Sequence, residues 1–78
     1  MTVRALWPDG HVDSARNYRG LERVLRREQW HEWDRREFRE EMAERGEVWS
    51  GQRVATSGSS RRFLRALEAI GMLRLEVD

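Results

Sequence analysis

Lysine is absent from this chain, although 37% of its residues are charged; all 15 basic side chains are arginine. Cysteine is absent too, which excludes disulfide staples and thiolate metal sites. Proline occurs once, at Pro8, so only one turn can draw on its fixed φ. No apolar run approaches the ~20 residues that span a bilayer, and no signal-peptide pattern opens the chain. A cytoplasmic protein without membrane contact is expected. Two readings of the arginine-only usage stand. Arginine has GC-rich codons and lysine does not, so a high-GC bacterial genome or its phage would produce it without selection on function. Alternatively, planar bidentate guanidiniums are wanted for carboxylate or phosphate partners. Their spread along the whole chain favours codon usage.

The 78 residues should form a single compact domain over 1–78. A chain of this size buries about 60–65% of the surface its unfolded form exposes. Four tryptophans, two phenylalanines and one tyrosine must supply much of that burial.

Thr2–Trp7 has strand character, with Val3, Ala5 and Trp7 on one face. Pro8-Asp9-Gly10 makes a turn and His11–Asp13 returns, giving a hairpin. Ser14 or Asn17 caps a first helix over Tyr18–Glu28, whose stripe is Tyr18, Leu21, Val24 and Leu25. A second helix starts after Asp34, with Glu37 completing a capping box and Trp33 and Phe38 spaced as a hydrophobic staple. Gly46 is its expected stop. Glu47–Ser57 reads as an irregular connection whose Trp49 plugs the core. A third helix, about Ser60–Ile70, ends at Gly71, where Met72 can touch Leu67. Leu73, Leu75 and Val77 alternate with Arg74 and Glu76 as a half-buried strand. The fold class is therefore α+β: a small two- or three-stranded antiparallel-type sheet, from the N-terminal hairpin and the C-terminal strand, packed against three helices.

Charge clusters by segment. Residues 16–29 carry five arginines against two glutamates, residues 30–51 four against seven acids, and residues 52–65 four against none. Either the acidic second helix is balanced by its basic neighbours, or a basic face meets nucleic acid or an acidic protein surface. Within the last segment, Ser59, Ser60, Arg61 and Arg62 open a helix, and Arg65 lies one turn on. Such a terminus can receive an anion, or the serines simply cap while the arginines are solvated. It is not a P-loop, since G-x-x-x-x-G-K is missing. Trp30 is either core or an exposed anchor for a partner. His31, Glu32 and Asp34 are metal-ligand types in a short loop without a second histidine beside them, so no metal site is expected. No catalytic residue and no cofactor is expected: there is no cysteine, no G-x-S-x-G, and little room for a deep pocket.

Phe38-Arg39, Met42-Ala43-Glu44-Arg45 and Val48-Trp49-Ser50-Gly51, followed by Phe63 to Leu73, resemble small uncharacterised proteins of actinobacteria and actinobacteriophages. That resemblance covers the C-terminal half and implies a short accessory product acting by binding a host or phage component. The expected function is a phage-encoded module that binds a protein partner through aromatic and arginine side chains. The alternative is a small nucleic-acid-binding protein using Ser59–Arg65.

Overall fold

The computed structural model describes residues 1–28 and 34–78. Its elements run β1 (Val3–Leu6), β2 (Val12–Ala15), α1 (Tyr18–Glu28), α2 (Arg35–Ser50), α3 (Ser60–Ala69) and β3 (Arg74–Val77). The sheet is antiparallel in the order β2-β1-β3, with Val3 opposite both Ala15 and Val77. The α+β class and the pairing of first and last strands agree with the sequence. α1 packs on β1 and β2 and α3 on β3, while α2 reaches the fold through α1 and α3. Val3, Ala5, Leu21, Leu25, Phe38, Met42, Phe63, Leu64, Leu67, Leu73 and Leu75 make the core. Phe38 and Phe63 meet edge-on at 6.3 Å.

Local chemistry sets the element ends. Asn17 Oδ1 accepts from the backbone N–H of Gly20 at 2.7 Å, which caps α1. Asp34 Oδ1 accepts from the N–H of Glu37 at 2.8 Å, and the capping box is present. Gly71, at φ +84°, lets the chain leave α3. There the N–H of Gly71 donates to Glu68 and that of Met72 to Leu67, the paired bonds of a Schellman ending.

Four expectations fail. α2 does not stop at Gly46 but runs one more turn to Ser50, and Gly51 at φ +80° ends it. Gly46 is glycine for a different reason: a Cβ there would lie 2.7 Å from Ile70 Cδ1 and 3.0 Å from Met72 Sδ. Its missing side chain lets α2 press against the corner between α3 and β3. Trp49 therefore rides on a helix and does not plug the core; it is 62% exposed, its ring resting against Gly71. Val54 from the following loop packs on the core instead. Val77 is 43% exposed, because the buried alternation ends at Leu75 near the strand's end. β1 is also shorter than Thr2–Trp7: it ends at Leu6, and Trp7 opens the hairpin loop while its side chain still packs against the core. The staple of Trp33 with Phe38 lies outside the described residues.

Candidate functional site

On α1 the apolar side Tyr18, Leu21 and Leu25 also contains Glu22, one turn after Tyr18. Its carboxylate is buried, and a buried charge costs several kcal/mol unless it is paired and hydrogen-bonded. Arg39, projecting from α2, supplies the pairing. Its Nε donates to Glu22 Oε2 at 2.7 Å and its Nη2 to Oε1 at 2.8 Å, a two-bonded fork. The Ser60 hydroxyl adds a third bond to Oε1 at 2.6 Å. Arg39 Nη1 then donates to the carbonyls of Thr56 and Gly58, both at 2.9 Å, and its guanidinium lies 5.0 Å from the centre of the Phe63 ring. One ion pair thus joins α1, α2, the loop before α3, and α3 itself. Burial pushes the Glu22 carboxyl up, but the bonds from Arg39 and Ser60 and the charges of Arg39 and Arg35 outweigh it and hold it below the ordinary glutamate value.

Above this pair lies an arginine-lined cleft. Arg19, Arg23 and Arg26 of α1 and Arg35 of α2 surround Glu22 and enclose about 100 Å³. The spacing of four and three residues puts the first three on one side of α1. Arg35 Nε stands 3.7 Å from Glu22 Oε1, and its Nη2 stands 3.5 Å from Ser60 Oγ. Among the described residues Glu22 is the only carboxylate lining the cleft, and it is already engaged by Arg39. Among the described residues, Arg19, Arg23 and Arg26 take part in no ion pair. Arg35 and Arg36 moreover occupy the first turn of α2, where the helix dipole disfavours cations. The result is a concentrated positive potential in a concave site, suited to a carboxylate or phosphate held by guanidinium forks.

The sequence-predicted site residues do not converge in this way. Ser59 is the N-cap of α3, and its hydroxyl accepts the N–H of Arg62 at 3.1 Å. Ser60 is buried, and its hydroxyl is spent on Glu22. Arg61 and Arg65 flank the Tyr18 ring at 6.0 and 5.7 Å. Arg65 also donates to Glu68 at 2.7 Å and to the Tyr18 hydroxyl at 2.9 Å, while Arg62 lies against Gly58. Glu68 in turn accepts the N–H of Leu75 at 2.8 Å, so Arg65 belongs to the joint between α3 and β3. Trp30, His31 and Glu32 lie outside the described residues.

Sequence reasoning missed Glu22, Arg39 and the cleft residues Arg19, Arg23, Arg26 and Arg35. One clue was available. Glu22 falls inside the apolar stripe of α1, and a carboxylate there demands a cation from elsewhere; Arg39, beside Phe38, was the matching one. The acidic face of α2 is balanced in part by the basic segment that follows it, where Arg53 bridges Glu40 at 3.0 Å and Glu47 at 3.4 Å, and in part from within the helix, where Arg45 meets Glu41 at 3.2 Å. A separate cluster, His11, Asp13 and Glu28, lies where the hairpin meets the end of α1. Among the described residues no helix is long and apolar enough to cross a membrane. No family model, curated protein or solved structure matches the chain.

Proposed function

We propose that the protein is a small cytoplasmic accessory protein, encoded by a high-GC bacterium or its phage, that binds an acidic protein partner and carries no chemistry of its own. The observation that carries this reading is the cleft in which Arg19, Arg23, Arg26 and Arg35 surround a carboxylate already neutralised by Arg39. A concavity of about 100 Å³ suits one or two protruding carboxylate side chains better than the continuous backbone of a duplex. Trp49, 62% exposed, is of a residue type enriched in protein interfaces, and Val48 beside it, 85% exposed, adds apolar surface.

Nucleic acid is the second reading, favoured by Arg19, Arg23 and Arg26 on one side of α1, which take part in no ion pair among the described residues. The Ser59–Arg65 element supports it less, since Ser60 is buried and Arg65 is bonded to Glu68 and Tyr18. Fluorescence anisotropy with a labelled DNA duplex across a salt series tests the choice. The protein-binding reading predicts only weak, non-specific retention at ~150 mM salt. A sub-micromolar complex there, with a log–log salt slope that falls by about 2–3 units when Arg19, Arg23 and Arg26 are replaced by alanine, favours nucleic acid instead.

A further inference from the structure

The hairpin carries a second constellation, away from the arginine cleft. His11 and Asp13 are two residues apart on the returning arm, and Glu28 is the last residue of α1. The fold brings their ligand atoms together: His11 Nε2 stands 3.1 Å from Asp13 Oδ1 and 3.5 Å from Glu28 Oε2. All three residues offer an atom within 4.8 Å of the others. In a tetrahedral zinc site, bonds of roughly 2.0–2.1 Å place neighbouring ligand atoms about 3.3–3.4 Å apart. The two distances from His11 Nε2 bracket that value, and the Asp13–Glu28 pair lies within 4.8 Å.

Three further features separate this cluster from an ordinary surface group of acids. One ring nitrogen faces two carboxylates, yet a single N–H can satisfy only one of them well. Asp13 is buried, and its other oxygen, Oδ2, accepts the indole N–H of Trp7 at 3.0 Å. An outer hydrogen bond of that kind orients a ligating carboxylate. And in a chain with 15 arginines, no described arginine pairs with either Asp13 or Glu28. The converging negative charge is left for a cation from outside. The backbone of His11 is fixed by its N–H bond to Asp9 Oδ1 at 2.9 Å and by its carbonyl, which accepts from Trp7 at 2.9 Å.

We propose that His11 Nε2, Asp13 Oδ1 and Glu28 Oε2 form a binding site for a divalent transition-metal ion of the zinc type. The mixed nitrogen and oxygen set selects zinc, cobalt or nickel over magnesium and calcium, which prefer oxygen alone. Three protein ligands leave a fourth position for water or for a donor atom from a partner. Bound there, the ion ties the β1–β2 hairpin to the C-terminal end of α1. Sequence spacing hides the site, because Glu28 stands fifteen residues beyond Asp13 and only the fold brings the two together. It is independent of the arginine cleft and stands or falls without it.

Isothermal titration calorimetry of the tag-free full chain with zinc chloride tests the site, with magnesium chloride as a parallel arm. One saturating zinc site per chain is expected, with a dissociation constant of about 10 μM or tighter, and no heat of comparable affinity from magnesium. His11→Ala and Glu28→Gln alter exposed side chains, so circular dichroism should be unchanged while zinc affinity falls at least about 10-fold. Trp7→Phe keeps all three ligands and removes only the indole bond, and should weaken zinc by roughly 10-fold. Absence of saturable zinc binding overturns the proposal. So does zinc binding that His11→Ala and Glu28→Gln both leave unchanged, since the metal then sits elsewhere.

Discussion

Glu22 and Arg39 form a buried, two-bonded ion pair, and its energetics are asymmetric. Removing Glu22 alone leaves the Arg39 guanidinium buried without its counter-charge, and removing Arg39 leaves the carboxylate with Ser60 and the more distant Arg35. Each of Glu22→Ala and Arg39→Met should therefore cost about 3–5 kcal/mol. That is a large part of the stability of so small a domain. The pair Glu22→Leu with Arg39→Met removes both charges and should cost clearly less than the sum of the two, as read from urea denaturation midpoints in a double-mutant cycle. Additive costs would show that the two side chains act independently.

The pair also sets the acid limit. Glu22 is held below the value it has in the unfolded chain, about 4.3, so its contribution is complete above that pH and disappears as pH falls through the lower folded value. Asp34 and Glu68 are depressed as well, through backbone hydrogen bonds from Glu37 and Leu75, and act in the same direction. The melting temperature should fall as pH drops below about 4, and Glu22→Gln should make that fall shallower while lowering the plateau at neutral pH.

At the scale of elements, the helix starts rest on caps that a single substitution can remove. Asp34→Ala should cost on the order of 1 kcal/mol, measured by denaturant unfolding. The last strand is a larger dependency: β3 pairs with β1 along its whole length and brings Leu73 and Leu75 into the core. A chain ending at Gly71 should show no cooperative unfolding transition, because a core this small cannot lose those contacts. An unchanged midpoint would contradict the role given to β3. These elements were legible in the sequence because their determinants are local: Asn17, Asp34 and Ser59 as caps, the 3.6-residue stripe of α1, the glycine after α3, the period of two in the last strand. The end of α2 was not. Gly46 looked like a stop in sequence, yet its role is set by Ile70 and Met72, some 24 residues further on. The same limit hid the cleft, since Glu22, Arg39 and Ser60 meet only once three elements pack together.

For the whole molecule, the arrangement of charge is more informative than its sum. A formal net charge of +1 conceals an arginine cleft on the α1–α2 side and an acidic face, Glu37, Glu40, Glu41 and Glu44, elsewhere along α2. A codon preference, which would put arginine in place of lysine, does not account for four arginines converging on one neutralised carboxylate. The most direct measurement uses immobilised wild-type protein and an Arg19→Glu, Arg23→Glu variant, each exposed to lysate of a high-GC bacterium with and without nuclease treatment at ~150 mM salt, with retained proteins identified by mass spectrometry. Both altered positions are exposed, so circular dichroism of the variant should match the wild type. The account predicts a protein with an acidic surface that survives nuclease treatment on the wild type and is lost from the variant. Retention that vanishes with nuclease, or that persists when both arginines are reversed, would contradict it.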